Sequence, residues 1–82
     1  MSENGHDLQA EFPEHRAILH TLKIESAAYR DLAARYHALA QEISRIEAGI
    51  EAASDERLED LKKRRLQLLD NVSSMIMERK AA

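Results

Sequence analysis

Apolar residues recur at alternating steps of three and four between positions 29 and 50. The series consists of Tyr29, Leu32, Tyr36, Leu39, Ile43, Ile46 and Ile50. This is the heptad spacing of a helix that packs lengthwise against another helix. Ile18 and Leu22 continue the series toward the N-terminus. The pattern therefore predicts helical structure over most of the first 52 residues.

Glu25 interrupts the series, because it places a carboxylate at a position that the spacing reserves for an apolar side chain. Ser26 follows, and serine favours helix starts since its hydroxyl can accept a hydrogen bond from the backbone there. Pro13 suits a first helical turn. Two arrangements fit the sequence: a short helix over residues 13–24 followed by a long one over 26–52, or one unbroken helix with a charge on its seam.

A further helix is predicted over residues 55–79, with Ser54 as its N-cap and two acidic residues in its first turn. At about 100° per residue, its apolar side chains share an arc of roughly 120°. They are Leu58, Leu61, Leu68, Leu69, Val72, Met75 and Ile76. A short turn near residues 52–55 makes the two long helices antiparallel neighbours. The expected fold is all-α: an antiparallel two-helix hairpin, coiled-coil-like, with a short N-terminal helix.

Composition sets the domain bounds and the expected location. Residues 1–11 are polar, contain Gly5 and show no period, so a disordered tail is predicted there and a single hairpin domain over residues 12–80. The chain has no cysteine, and its net charge of -3 disfavours a globally nucleic-acid-binding or membrane-seeking protein. We find no signal-peptide pattern or membrane-length apolar run, so a cytoplasmic protein is expected.

Residues 62–65 are four consecutive basic residues, "KKRR". On a helix they point in four directions, so at most two face one phosphate backbone. Glu59 precedes Lys63 by four residues and Asp60 precedes Arg64 by four, which favours surface ion pairs. A solvated helix surface is therefore predicted. The alternative is a nucleic-acid contact made by Lys63, Arg64, Arg79 and Lys80.

Arg65 differs from its basic neighbours, because its direction lies inside the apolar arc of the helix. Counted outward from a turn near residue 53, it lies opposite Gln41 and Glu42. A guanidinium beside an apolar seam usually buries its stem and sends its head to a carboxylate. Arg65 and Glu42 are therefore the predicted pair that fixes helix register.

The sequence offers little for catalysis or for metal binding. Its four histidines are His6, His15, His20 and His37, and no two of them have the spacing of three or four residues that brings helical side chains together. The acidic residues at 55–60 are explained by the helix start and by ion pairing. We find no glycine-rich phosphate loop. The chain is therefore expected not to be an enzyme and to need no metal or cofactor.

Three segments resemble the YdcH-like family of small bacterial proteins, a domain of unknown function. They are "FPEHRAILHTLK", "YRDLAARYHALAQEISRIE" and "LEDLKKRRLQLLDNV", and the resemblance spans residues 12–76. It is most specific at Phe12-Pro13-Glu14 and in residues 61–70. Family members often carry a proline just before the long helix, where this chain has Ala27. The resemblance implies a helical hairpin and no accepted activity, substrate or ligand.

The apolar stripe is wider than contact between two helices requires. A lone hairpin would leave part of it in water, so we predict a homodimer at micromolar concentration, with a higher oligomer or a hetero-partner as the alternative. The predicted function is a self-associating structural or protein-interaction module. Its interface candidates are Leu22, Tyr29, Leu32, Tyr36, Leu39, Ile43, Leu58, Leu66, Leu69 and Ile76.

Overall fold

A computed structural model of the chain describes residues 8–81, and no strand occurs among them. The predicted all-α class is confirmed for this part of the chain. The helices are α1 (Leu8–Glu11), α2 (Arg16–Glu25), α3 (Ala27–Glu47) and α4 (Asp55–Ala81), with one turn of 3-10 helix at Pro13–His15. Residues 8–25, which contain α1, the 3-10 turn and α2, are the N-terminal segment.

The end of the predicted tail is ordered. Residues 1–7 lie outside the described part of the chain, but Leu8–Glu11 form the single turn α1. Leu8 is only 4% exposed and belongs to the main hydrophobic cluster. The prediction of disorder is therefore wrong for residues 8–11, because burial of one leucine against α3 anchors a stretch whose own composition is polar.

The helix breaks at Ser26, which settles the choice between the two predicted arrangements. Ser26 is extended, with φ −122° and ψ 112°, and its Oγ accepts a hydrogen bond from the Tyr29 N–H at 3.0 Å. This N-cap satisfies one of the backbone donors that a helix start leaves unpaired. The chain therefore reverses its course between α2 and α3.

Helix α3 ends at Glu47, five residues before the predicted end at 52. Gly49 has φ 80°, which glycine adopts without steric cost. Its N–H donates to Ile46 O at 3.1 Å, and the Ile50 N–H donates to Arg45 O at 2.9 Å. These two bonds form a Schellman C-cap. Consequently the turn occupies residues 48–54, and Ile50 is 76% exposed instead of extending the seam.

Helix α4 begins where the sequence predicts, at Asp55. Ser54 Oγ accepts from the Arg57 N–H at 3.1 Å, as expected of an N-cap. Helix α3 packs along α4, and α2 contacts both of them. The main cluster comprises Leu8, Leu19, Leu22, Tyr29, Tyr36, Ala40, Val72 and Ile76. Ile43 and Leu61 are also buried, nearer the turn.

Candidate interaction surface

The α3–α4 pair has two long faces that differ in what covers them. The covered face lies beneath the N-terminal segment. Its buried residues are Tyr29, Tyr36, Ala40, Val72 and Ile76, which share one cluster with Leu8, Leu19 and Leu22. Ala33 is partly buried and packs against the same cluster. The small side chains at positions 33 and 40 let the N-terminal segment approach the α3 backbone closely.

The open face carries a groove between α3 and α4. All of its lining residues come from these two helices: Arg35, Ala38, Leu39, Glu42, Arg64, Gln67, Leu68 and Asn71. Leu39 lies about 100° around α3 from the covered Ala40. Leu39 and Leu68 are each half-buried, so they keep part of their apolar surface in water. The groove is therefore apolar at its floor and charged at its rim.

Charges of both signs surround this groove. Arg35 pairs with Asp31 at 3.1 Å and Arg64 pairs with Asp60 at 3.0 Å, each pair lying within one helix. Glu42 binds the Arg57 guanidinium across the two helices. The Asp60–Arg64 pair is one that the sequence predicts. The rim thus carries both cationic and anionic groups.

The ten predicted interface residues separate into three groups. Five are buried inside the chain itself and offer no surface to a partner: Leu22, Tyr29, Tyr36, Ile43 and Ile76. Four are half-buried: Leu32, Leu39, Leu58 and Leu69. Leu66 is 59% exposed and lies about 160° around α4 from Leu68, on a different side of the helix from the groove.

The predicted register pair is not formed. Arg65 is half-buried, as its position in the apolar arc suggests, but Glu42 binds Arg57 instead of Arg65. Glu42 and Arg64 line the same groove, so Arg65 lies near the level of Glu42, as the sequence predicts. Arg65 lies about 100° around α4 from Arg64 and is not among the groove residues, so its direction on α4 separates it from Glu42.

The four basic residues of the nucleic-acid alternative do not form one patch. They are Lys63, Arg64, Arg79 and Lys80. Two of them are already paired with carboxylates, Arg64 with Asp60 and Arg79 with Glu25, the latter at 2.7 Å. Lys63 and Lys80 are exposed, and the predicted Glu59–Lys63 pair does not occur among the described residues.

Within residues 8–81 no group of three or more histidine and acidic side chains is placed to hold a metal ion. His15 and His37 are half-buried and His20 is exposed, whereas His6 lies outside the described residues. Gln41 Nε2 lies 3.2 Å from His37 Nε2. No helix in this part of the chain is both long enough and apolar enough to cross a membrane.

Comparison with known proteins gives a family match over most of the α3–α4 pair. A family model described as "Protein of unknown function (DUF465)" matches residues 30–76, which covers most of both helices and the turn between them. Of the two stretches where the resemblance seen in the sequence is most specific, the match includes residues 61–70 and leaves out Phe12-Pro13-Glu14 in the N-terminal segment. No curated protein and no solved structure matches the chain. The chain therefore belongs to the DUF465 family of proteins of unknown function, which includes the YdcH-like proteins.

Proposed function

We infer that the chain is a non-enzymatic helical module, an antiparallel α3–α4 hairpin with a short N-terminal helix, that self-associates as a homodimer. The observation that carries this inference is the pair of half-buried leucines, Leu39 and Leu68, on the floor of the open-face groove. Covering them removes apolar surface from water, which stabilises association by about 25 cal/mol per Å². The open face is the dimer interface in this proposal.

The charges at the rim favour a second copy as the occupant. In a two-fold dimer each surface meets itself, so a face needs both signs of charge to be self-complementary. The open face has them, because Arg35 and Arg64 lie beside Glu42 and Asp60. A strongly basic or acidic partner would instead meet like charges. The small size of the chain also supports dimerisation, since 82 residues bury proportionally little surface on their own.

The test is the mass of the full-length protein by sedimentation equilibrium across micromolar concentrations. We expect twice the 9.3 kDa chain mass for the unmodified protein. Leu39→Glu places a charge on the groove floor and should give the mass of a single chain. Leu66→Glu is the matched control, because it makes the same change at an exposed leucine on another side of α4.

Circular dichroism checks that both variants keep their helix content. A single-chain mass for the unmodified protein up to the highest concentration would refute self-association. Loss of the dimer in Leu66→Glu, with the dimer kept in Leu39→Glu, would move the interface away from the open face. Dimerisation of all three proteins would also exclude the groove.

A further inference from the structure

The apolar phase of the sequence continues through the break at Ser26. Ile18 and Leu22 on α2 keep the heptad positions of Tyr29 and Leu32 on α3, although Ser26 separates the two helices. If the break only ended one helix, the apolar positions of the next helix would not need to continue the heptad spacing of the first. With the phase preserved, a straight helix over residues 16–47 would carry these apolar residues along one side, interrupted at Glu25.

The joint contains no residue that forbids such a helix. Glu25, Ser26 and Ala27 include neither glycine nor proline. The Ser26 N–H already donates to Leu22 O at 2.8 Å, which is the bond it would form inside a helix. The joint at residues 25–27 is bent because Ser26 has extended backbone angles, and a straight helix would need helical angles there.

The bent joint is held by side-chain contacts at the surface. Besides the Ser26 cap on Tyr29, the exposed Arg30 donates from Nη1 to Lys23 O at 2.9 Å and to Ile24 O at 3.2 Å. In a straight helix these two carbonyls would accept from the backbone N–H groups four residues further on. The bent and straight joints therefore satisfy the same carbonyl oxygens in two different ways.

Straightening would lift the N-terminal segment off the covered face and expose the buried Tyr36, Ala40 and Val72. The surface that fits this vacated face is the N-terminal segment of another copy, since it already packs there within one chain. We propose that α2 and α3 join into one straight helix in a second state, and that two copies exchange their N-terminal segments. This exchange goes beyond the open-face dimer and does not depend on it.

The packing within one chain supports a symmetric exchange. Helix α2 runs back along α3, so that the Tyr36 O–H, which lies about ten residues beyond the joint, donates to Glu11 Oε2 at 3.3 Å. Two straight helices placed antiparallel about a two-fold axis near Ser26 would reproduce this packing between chains. The Glu25–Arg79 pair would also re-form between chains. Exchange thus keeps the core contacts and changes only the joint, which is the usual route to a swapped dimer.

One substitution locks the bent joint. Ala27 is the first residue of α3, where proline is well accepted, and Ser26 already has the extended conformation that a residue before proline prefers. Proline also lacks the N–H that a straight helix would direct at Lys23 O. Ala27→Pro should therefore keep the closed chain folded and abolish exchange.

The opposite substitution favours the straight joint. Ser26→Ala removes the hydroxyl that caps α3 and introduces a better helix former. Loss of a cap of typical strength shifts the balance about fivefold in each chain, and two joints straighten in each exchanged dimer. We expect the equilibrium constant for exchange to rise about 25-fold.

The readout uses the absence of cysteine from the chain. Glu25→Cys together with Arg79→Cys introduces two thiols where the ion pair joins α2 to α4. A short flexible bis-maleimide reagent suits this site better than a disulfide, because long side chains can meet from backbones too far apart for an S–S bond. A denaturing gel then separates links within one chain from links between two chains.

All samples carry Leu39→Glu, so that open-face dimers do not contribute. Exchange predicts links between chains that increase with protein concentration, rise further with Ser26→Ala and vanish with Ala27→Pro. Links confined to single chains in the Ser26→Ala protein at the highest concentration would overturn the proposal. Equal linking between chains in the Ala27→Pro protein would overturn it too. The mass of the Ala27→Pro protein without Leu39→Glu tests the open-face dimer separately.

Discussion

The covered and open faces of the α3–α4 pair come from one apolar stripe but end in different environments. On the covered face Tyr36, Ala40 and Val72 lose nearly all contact with water. On the open face Leu39 and Leu68 remain half-buried between charged residues. The N-terminal segment makes this difference, because it covers one flank of a stripe that the heptad spacing makes apolar on both.

The side chains on the two faces match their environments. Alanines at 33 and 40 leave room for the N-terminal segment, whereas the open face has larger leucines and long charged side chains. The family match covers the α3–α4 pair alone. We conclude that a wide apolar stripe does not by itself predict a dimer, since the same chain can cover part of the stripe.

The largest expected effect comes from truncating a leucine to alanine, once in the N-terminal segment and once on the open face. Leu19→Ala removes a side chain of the N-terminal segment that is 1% exposed and packed in the main cluster, and should cost about 2–5 kcal/mol of unfolding free energy. Leu39→Ala on the open face should cost roughly 1 kcal/mol, because the leucine is already partly in water. Urea denaturation at low protein concentration measures both.

The stability losses in Leu19→Ala and Leu39→Ala should also depend differently on protein concentration. If a second copy covers the open face, the cost of Leu39→Ala should grow as protein concentration rises, whereas the cost of Leu19→Ala should not. Equal costs at low concentration would mean that Leu19 and Leu39 are equally buried within a single chain.

Local signals in the sequence predicted much of this fold. The heptad series predicts α3, and Ser54 with its acidic neighbours predicts the start of α4. Ser26 offered two arrangements, and the cap to Tyr29 selects the break. Each of these features depends on residues close together in the chain.

The features that the sequence does not predict depend on competition between local signals or on contacts between residues far apart in the chain. Ile46 and Ile50 keep the heptad spacing, yet Gly49 between them ends the helix with a C-cap, so the local backbone preference outweighed the apolar period. The predicted pairing of Arg65 with Glu42 also fails, because Arg57 binds the Glu42 carboxylate instead. Leu8 is one apolar residue in a polar stretch, and only its contact across the fold buries it.

The next effect tests how closely the N-terminal segment approaches α3. Ala40 is 2% exposed, so Ala40→Leu should overpack the covered face and cost about 1–3 kcal/mol. Ala34→Leu is the control on the exposed side of the same helix and should change stability by at most about 0.5 kcal/mol. Thermal unfolding compares the two. If Ala40→Leu left the stability unchanged, the N-terminal segment would be able to move and accommodate the larger side chain without loss of free energy.

A smaller effect is expected where the N-terminal segment is tied down by a polar contact. Tyr36→Phe removes the hydroxyl that donates to Glu11 Oε2 at 3.3 Å and should cost about 0.5–1.5 kcal/mol. Amide hydrogen exchange should rise most in residues 8–25, because that contact ties α1 to α3. Faster exchange confined to α4 would contradict this assignment.

The smallest effects come from one ion pair associated with each face. Glu42 is paired with Arg57 on the open face, and Glu25 joins the N-terminal segment to Arg79. Such pairs contribute about 0.2–1 kcal/mol. The Glu42 side chain is 23% exposed and the Glu25 side chain 53%, so the Glu42 pair should be the stronger and the less sensitive to salt. Double-mutant cycles with glutamine at both partners, at low and high salt, measure each coupling free energy. A stronger coupling for the Glu25 pair would show that the joint, and not the open face, holds the more rigid charge contact.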